Sequence, residues 1–398
     1  MSRGTSILVV LDSVGAGALP DAGRYGDAGA DTLGHVLETH PDLALPNLRK
    51  MGLGNALALL RPRALKPVDA PLASFGLAAE KSPGKDTTTG HWEMAGVVLD
   101  RPFTTFHDGF PPAFIDRFVA ETGRGALGNK AASGTAIIDE LGPEQQKTGK
   151  WIVYTSADSV FQVAAHERVI PLDELYRACE KARAMLDSHF VGRVIARPYV
   201  GEPANYKRTY NRKDFSMLPQ GETLLDRLSA HGIETVGVGK IHDIFAGKGV
   251  ARSIHTEGNA DGIRVTIEEI RRLAPHASIL SPFLFVNLID FDMTWGHRRD
   301  AGGYAAGLKA FDVRLPEIIG AMGPDDLLMI TADHGCDPTF SAHTDHTREH
   351  VPLLAYTPKG KGANLGIRPT FADIGATIAE FYGVGPLAHG TSFLREVL

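Results

Sequence analysis

Length, composition and charge limit the classes of protein to consider. The 398 residues, 43% hydrophobic and 22% charged, are typical of a globular protein long enough for roughly two or three domains. The formal net charge of −6 does not indicate a nucleic acid or membrane partner, so any anion site must be a local feature. Two widely separated cysteines, Cys179 and Cys336, offer no disulfide framework and indicate a cytoplasmic location.

The termini and the apolar runs predict neither secretion nor membrane insertion. The first residues lack the long apolar core and the small-residue cleavage site of a signal peptide. The longest apolar run, residues 279–289, is too short to span a bilayer and contains Pro282.

The chain begins with a predicted strand that ends in a carboxylate. Residues 7–11 form an unbroken apolar run, typical of a parallel strand buried on both faces, and Asp12 follows it directly. Asp12 is therefore either a ligand at a strand end or a cap of the next helix. Residues 31–38 and 47–53 predict helices.

The segment GKDTTTGHWE, residues 84–93, contains three consecutive threonines. The simpler interpretation is a hydroxyl-containing turn that begins a helix. The functional interpretation is that one hydroxyl is a nucleophile, which would need a base or a metal to activate it. The residues alone do not distinguish Thr87, Thr88 and Thr89.

The composition changes after Gly96, and we expect residues 98–217 to form a separate module. Residues 151–154 and 191–196 predict strands, and apolar residues spaced by three and four across 172–186 predict a helix with Cys179 on its buried face. Residues 197–213 contain five cations and one acid, which indicates either a phosphate site or a solvated basic loop.

A pattern of alternating strands and helices resumes near residue 218. A predicted helix, 223–230, precedes a predicted strand, 233–238, that leads to Lys240. A further predicted strand, 283–289, is followed by three candidate metal ligands, Asp290, Asp292 and His297. Asp292 and His297 could bind one cation, and on spacing alone Asp290 could take the place of Asp292.

The last predicted strand, residues 327–331, leads into a loop rich in metal-ligating side chains. These side chains are Asp333, His334, Asp337, His343, Asp345, His346 and His350. A polar loop whose imidazoles bind backbone groups is the alternative. Near the end, residues 371–381 predict a core-facing helix that begins at Thr370, with Asp373 as capping partner, and ends before Gly383.

Six candidate ligands at separate strand ends suit two divalent cations, because ligands collect beyond the carboxyl ends of parallel strands. They are Asp12, Asp292, His297, Asp333, His334 and His346. Each fragment is a weak signal, whereas their joint occurrence in one α/β chain is a strong one.

Seven stretches resemble the phosphopentomutases, a family of the alkaline phosphatase superfamily. They are GKDTTTGHWE, YTSADSVFQ, ARPYVGEP, GKIHDIF, DFDMTWGHRRD, TADHGCDPTF and TDHTREHVPLL. The resemblance covers essentially the whole chain. It implies an α/β fold with a three-layer α/β/α core, residues 1–97 and 218–398, interrupted by a smaller α+β cap domain at 98–217.

The resemblance also implies residue roles. Asp12, Asp333 and His334 would hold one Mn²⁺. Asp292, His297 and His346 would hold the other, which favours Asp292 over Asp290; other divalent cations are alternatives. Thr87 would be the phosphorylated nucleophile. Cys336 stands where the family pattern has a polar residue, and a longer loop after His334 makes His343 a rival ligand.

The implied reaction interconverts ribose 1-phosphate and ribose 5-phosphate, or their 2-deoxy forms, by way of a bisphosphate. Glucose 1,6-bisphosphate or ribose 1,5-bisphosphate would activate the enzyme, and Arg197, Arg208 and Lys240 would bind the phosphate that is not reacting. The alternatives are a metal-dependent phosphatase, a phosphoglycerate-type mutase and a non-catalytic metal-binding protein. The oligomeric state is not indicated.

Overall fold

The computed structural model describes residues 4–62, 64–156, 158–273 and 281–398. The first residues of the apolar run at 279–289 therefore lie outside the described residues. The chain divides into two compact units, one of Met1–Arg101 with Pro219–Leu398 and the other of Pro102–Leu218. No helix among the described residues is long and apolar enough to cross a membrane.

The strands are numbered in chain order. They are β1 Ser6–Leu11, β2 Ser74–Ala78, β3 Ala126–Ala131, β4 Trp151–Thr155, β5 Val160–His166, β6 Arg193–Val200, β7 Lys207–Arg208, β8 Lys213–Ser216, β9 Thr235–Val238, β10 Arg252–Ile254, β11 Phe283–Leu288, β12 Leu327–Thr331, β13 Val351–Tyr356 and β14 Asn364–Arg368.

The α-helices are numbered in the same way. They are α1 Thr32–Thr39, α2 Pro46–Met51, α3 Leu53–Leu57, α4 Thr87–Met94, α5 Pro112–Thr122, α6 Gly134–Thr148, α7 Leu172–Leu186, α8 Leu224–Ala230, α9 Ile241–Ile244, α10 Asn259–Leu273, α11 Ala301–Ala321, α12 Ala372–Tyr382 and α13 Leu394–Val397. A short 3-10 helix spans Ala22–Tyr25, and a π-helix spans Phe291–Gly296.

The first unit contains an eight-stranded sheet in the order β10-β9-β11-β1-β12-β13-β2-β14. The five strands from β10 to β12 are parallel, so their carboxyl ends share one edge. Every residue of β1, β11 and β12 is buried, as expected for central strands covered on both faces. This edge is where ligands of an open α/β sheet are expected.

Two groups of helices cover this sheet. Helices α1, α2, α3, α10 and α11 pack among themselves, and so do α4, α8, α9, α12 and α13. Helix α10 of the first group and α9 of the second both contact β9 and β11, so the sheet lies between the two groups. The predicted α/β/α layering of the core is confirmed.

The second unit is an α+β module around a six-stranded sheet. Its main order is β3-β4-β5-β6-β7, with β8 also paired to β6. Helix α7 buries Cys179 as predicted, in a core that includes the aromatic side chains of Phe114, Phe118, Trp151 and Phe161. A smaller cluster between α6 and the opposite face contains Tyr154 and Tyr199.

Several predicted boundaries were wrong for local reasons. The helix predicted at residues 47–53 is divided because Gly52 has φ of +104°, a left-handed conformation that ends α2. The predicted strand 191–196 begins later and continues through Pro198, because its pairing with β5 extends to Tyr199.

The last long helix also differs from its prediction, although Gly383 does end it in the left-handed conformation. Its N-cap is Phe371, and the Thr370 hydroxyl accepts the Ala372 N–H at 3.1 Å and donates to Glu93 at 2.7 Å. Tyr382 is buried where Phe381, predicted to face the core, is only half-buried.

We expect Phe161→Ala to lower the free energy of unfolding by about 3–5 kcal/mol, because a large ring leaves a cavity in a close-packed core. Phe161 is fully buried and packs edge-on against Phe110, Phe114 and Phe118. Urea unfolding followed by tryptophan fluorescence measures the loss. Val313→Ala, at a side chain that is 61% exposed, is the control and should change stability by less than about 0.5 kcal/mol. A loss in Phe161→Ala as small as that of the control would contradict this packing.

Candidate metal centre and nucleophile

Three adjacent parallel strands place the candidate ligands at one edge of the large sheet. In the order β11-β1-β12, Asp292 lies in the π-helix after the first strand, Asp12 directly after the second, and Asp333 with His334 after the third. The register pairs Leu11 with Leu288, so the ends of β1 and β11 are level. Residues far apart in sequence therefore meet.

One group of ligand atoms combines a carboxylate with two imidazoles. Asp292 Oδ1 lies 3.4 Å from His297 Nε2 and 3.3 Å from His346 Nε2, and the two imidazole nitrogens are 3.1 Å apart. His297 Nδ1 lies 2.6 Å from the carbonyl of Thr344. In the tautomer that donates this bond, Nε2 offers its lone pair to a cation.

A second group shares Asp292 with the first. Asp12, Asp292 and His334 offer ligand atoms within 4.8 Å of one another. His334 Nε2 lies 3.4 Å from both Asp12 Oδ1 and Asp333 Oδ2, while its Nδ1 lies 3.0 Å from the Gly335 carbonyl. All six predicted ligands are thus brought together, and Asp292 lies between the two groups.

Buried carboxylate oxygens without donors show that the residues present fit metal ions. Asp12 Oδ1, Asp292 Oδ1 and Asp333 Oδ2 are buried and have no hydrogen-bond partner among the described residues. Leaving a buried acceptor unpaired costs about 1–3 kcal/mol, and more when it is charged. Two divalent cations, one in each group, would satisfy these oxygens and would reduce the mutual repulsion of the carboxylates.

The electrostatics of the cluster also favour added positive charge. Burial and the neighbouring Asp333 raise the pKa of Asp12. Burial would lower the pKa of His334, but Asp333 and Asp12 raise it well above its ordinary value. The carboxylates thus stabilise a proton on the imidazole, and a metal ion at the same place would supply the same stabilising charge.

Thr87 is the first residue of α4, and its hydroxyl approaches the centre. Its Oγ1 lies 3.2 Å from His334 Nε2. The other two threonines have different environments, since the Thr89 hydroxyl donates to Asp86 at 2.5 Å and the Thr88 side chain is buried. Asp86 also caps the helix by accepting the backbone N–H groups of Thr88 and Thr89.

Two polar neighbours of the candidate centre were not predicted from the sequence. Asn287, inside β11, donates to Asp12 Oδ2 at 2.8 Å. His91, one turn after Thr87, has its Nδ1 2.9 Å from the Thr87 carbonyl and 3.2 Å from Asp333 Oδ2. The spacing of four between Thr87 and His91 on a helix was the available signal for His91. For Asn287 the only signal in the sequence was a polar residue within an otherwise apolar predicted strand.

The Arg348 guanidinium joins the loop before Thr87 to the loop that carries His346. It is buried and donates to the carbonyls of Glu80, Ser82 and Gly84, and to the Glu80 carboxylate at 2.9 Å. It also contacts the Asp21 carboxylate through two nitrogens at 3.2 Å. Arg348 therefore fixes the segment that leads to Thr87 relative to the loop that carries His346.

Asp27 and Glu349 reinforce the same connection. The buried Asp27 accepts from Lys85 Nζ at 3.1 Å and from the Arg348 backbone at 2.8 Å. Glu349 accepts from the backbone of Gly17 and from Thr32 and Thr347, although burial raises its pKa to about 7. These contacts hold the loop after β1 against the loop after β12.

The alternatives that the sequence left open now have positions. The rival ligand His343 has its Nε2 2.8 Å from Asp27 Oδ1, and the rival ligand Asp290 accepts the Asn259 N–H at 2.7 Å. The His343 imidazole and the Asp290 carboxylate therefore each have a protein partner. Cys336 Sγ lies 3.9 Å from His297 Nδ1, and burial raises the pKa of this thiol, which favours its neutral form.

The predicted phosphate-binding residues fall in different units. Lys240 is the N-cap residue of α9 in the first unit. Arg197 on β6 and Arg208 on β7 belong to the second unit, where burial raises the pKa of Tyr154 and the charges of both arginines oppose that rise. Within the second unit the two arginines are thus brought to one place.

A family model and the sequences of similar proteins assign this chain to the same family. The family model described as "Metalloenzyme superfamily" matches residues 4–386 of this chain. A phosphopentomutase from Caldanaerobacter subterraneus subsp. tengcongensis is 56% identical over 393 residues, covering 98% of this chain and 97% of that protein. One from Anaeromyxobacter sp. (strain K) is 56% identical over 392 residues, covering 98% of each. Among solved structures, PH0037 from Pyrococcus horikoshii aligns with a TM-score of 0.49 at 14% identity, covering 98% of this chain and 100% of that one.

We expect Asp292→Asn to lower the metal content at both positions, because Asp292 belongs to both groups and an amide is a weaker, uncharged ligand. His346→Ala should lower it at one position. Asp290→Asn is the matched control, since Asp290 caps α10 instead. Metal analysis after dialysis measures the occupancy. Full occupancy in Asp292→Asn with depletion in Asp290→Asn would show that the ligand is Asp290.

Proposed function

This chain belongs to the phosphopentomutases of the Metalloenzyme superfamily, and on that basis we propose that it interconverts ribose 1-phosphate and ribose 5-phosphate, and likewise the 2-deoxyribose forms. The observation in this chain that carries the proposal is the position of the Thr87 hydroxyl, 3.2 Å from His334 Nε2 beside buried carboxylates without donors. A nucleophile next to a charge-stabilising centre is what phosphoryl transfer requires.

The proposed metals are two Mn²⁺ ions. Carboxylate and imidazole ligands suit Mn²⁺, and the same set would accept Zn²⁺. One ion is assigned to Asp12, Asp333 and His334, and the other to Asp292, His297 and His346. Divalent cations at such a site favour the ionised form of a hydroxyl and neutralise phosphoryl oxygens.

Thr87 is the proposed carrier of the phosphoryl group. In the phosphorylated enzyme, the bond from phosphorus to Thr87 Oγ1 breaks as a bond forms to the free hydroxyl oxygen of the sugar monophosphate. The sugar hydroxyl loses its proton and Thr87 Oγ1 gains one, so that Thr87 is left as a hydroxyl. The product is a bisphosphate, and its other phosphoryl group returns to Thr87 and leaves the isomer. Glucose 1,6-bisphosphate or ribose 1,5-bisphosphate is the proposed activator, because it can phosphorylate a resting enzyme.

The remaining phosphate is proposed to be bound by Arg197, Arg208 and Lys240. Guanidinium groups suit this role because they offer paired donors to phosphate oxygens. The second unit, predicted at residues 98–217, is proposed to be a cap that excludes water during the reaction. Two buried free cysteines are consistent with the proposed cytoplasmic location.

The alternatives of the same superfamily make different predictions. A metal-dependent phosphatase releases phosphate to water, whereas a mutase retains it. Phosphoglycerate-type mutases use a serine nucleophile, and this chain has Thr87 at the corresponding place. The names of the similar proteins favour the pentose substrate.

The deciding experiment supplies metal-loaded protein with ribose 1-phosphate and a bisphosphate activator. We expect ribose 5-phosphate without a stoichiometric release of inorganic phosphate. Equal amounts of free phosphate and ribose would identify a phosphatase, and no reaction would contradict the proposed function.

We expect Thr87→Ala to abolish both turnover and phosphoenzyme formation while the protein remains folded, because the variant lacks the accepting oxygen. Intact-mass measurement after exposure to the bisphosphate detects the adduct. Thr88→Ala is the matched control on the same helical turn and should still be phosphorylated. A complete adduct on Thr87→Ala would transfer the role to Thr88 or Thr89.

We expect Arg197→Ala and Arg208→Ala to raise the KM of the sugar phosphate and to increase the fraction of turnovers that end in free phosphate. A phosphate that is held less firmly leaves the phosphothreonine more open to water. The ratio of released phosphate to isomerised sugar measures the effect, with Arg177→Ala, an exposed arginine on α7, as the control. Wild-type ratios and KM in both variants would refute this role.

A further inference from the structure

The residue after Asp12 has a backbone conformation that side chains rarely adopt. Ser13 is fully buried and has φ of +72°, in the left-handed region that is uncommon for residues other than glycine. Its backbone N–H donates to Asp333 Oδ1 at 3.0 Å. The second oxygen, Asp333 Oδ2, has no donor among the described residues and lies 3.4 Å from His334 Nε2. The turn at Ser13 therefore determines which oxygen of Asp333 is free for a cation.

The Ser13 carbonyl accepts hydrogen bonds from three segments of the first unit. The backbone N–H groups of Gly15 and Cys336 donate to it at 2.8 and 3.1 Å, and the Tyr304 hydroxyl donates at 2.9 Å. Gly15 and Cys336 lie on loops that carry the candidate ligands, whereas Tyr304 lies on α11, which carries none of the six. The Tyr304 hydroxyl therefore connects the turn to a helix outside those loops.

The Tyr304 side chain is well placed to fix this turn. It is fully buried, and its ring packs against Phe291 with the ring centroids 5.3 Å apart. Burial raises the pKa of the Tyr304 hydroxyl well above its ordinary value, so the group stays protonated and remains a donor. The Ser13 hydroxyl lies 3.3 Å from it and can donate to its remaining lone pair. Helix α11, 21 residues long, packs in turn against α1, α2 and α10.

We propose that Tyr304 is a positioning residue for a divalent cation bound by Asp12 and Asp333. Its hydroxyl keeps Ser13 in the left-handed conformation, and the Ser13 N–H then holds Asp333 so that Oδ2 is available as a ligand. Without the hydroxyl, the metal-free protein can leave this strained conformation, and metal binding has to restore it at a cost in affinity. The kinetic consequence rests on the proposed function, whereas the effect on metal affinity does not.

The first test is competition for Mn²⁺ between a fluorescent chelator and the full-length protein, with wild type, Tyr304→Phe and Tyr382→Phe compared. Tyr382→Phe is the matched control. The buried Tyr382 hydroxyl donates to the Pro282 carbonyl at 2.6 Å and accepts the Ser6 N–H at 2.8 Å, at the opposite end of β1. Each variant loses one hydroxyl and keeps its ring, so we expect both to lower the Tm of the metal-free protein.

We expect the Mn²⁺ affinity of Tyr304→Phe to be about three- to tenfold lower than that of wild type, because a hydrogen bond that stabilises the binding conformation is lost. Tyr382→Phe should bind Mn²⁺ as wild type does. Wild-type affinity in Tyr304→Phe would overturn the inference. An equal loss in Tyr382→Phe would do the same, because the effect would then come from general destabilisation.

The Ser13→Gly variant tests whether the hydroxyl acts through the turn. Glycine adopts a positive φ without the penalty that a Cβ imposes, so this turn should depend less on the hydroxyl. Tyr304→Phe should therefore lower the Mn²⁺ affinity of Ser13→Gly by a smaller factor than it lowers that of wild type. An undiminished factor in the Ser13→Gly background would refute the route through Ser13.

Kinetics separate this inference from the proposed reaction. With ribose 1-phosphate and the bisphosphate activator, Tyr304→Phe should reach the wild-type kcat at a higher Mn²⁺ concentration, while the KM of the sugar phosphate stays unchanged. A loss of kcat that saturating Mn²⁺ does not restore would contradict a role in metal positioning. If wild type lacks isomerase activity but the difference in Mn²⁺ affinity is found, the proposed function fails and the role of Tyr304 stands.

Discussion

Buried negative charge at the ends of three adjacent parallel strands is the constraint on which the first unit depends. Asp12, Asp292 and Asp333 each leave a buried oxygen without a donor among the described residues, whereas the buried Asp27 accepts from Lys85 and from the Arg348 backbone. Repulsion and desolvation make this arrangement unfavourable in isolation. The arrangement is consistent with cations as part of the folded state, and removal of a shared ligand such as Asp292 would affect both groups.

The loops that carry these ligands are held by a second set of charges that are paired. Arg348 contacts three carbonyls of the segment before Thr87, and Asp27 joins Lys85 to the Arg348 backbone. A rigid support of this kind keeps side chains from distant segments in fixed positions relative to one another. Arg348 and Glu349, adjacent residues of the loop after β12, thus have structural roles that their hydrogen bonds explain.

The sequence by itself determined the buried strands, the alternation of strands and helices and the candidate ligand types, because apolar runs and the polar residues that follow them are local patterns; the layering of the core was implied by the family resemblance. It also determined α7 and the end of α12 at Gly383. Only the tertiary structure decided that Asp292 lies between two groups, that His343 binds Asp27, and that the Tyr304 hydroxyl donates to the Ser13 carbonyl. The physical reason is that these properties are distances between segments up to hundreds of residues apart, which strand order and register fix and local composition does not.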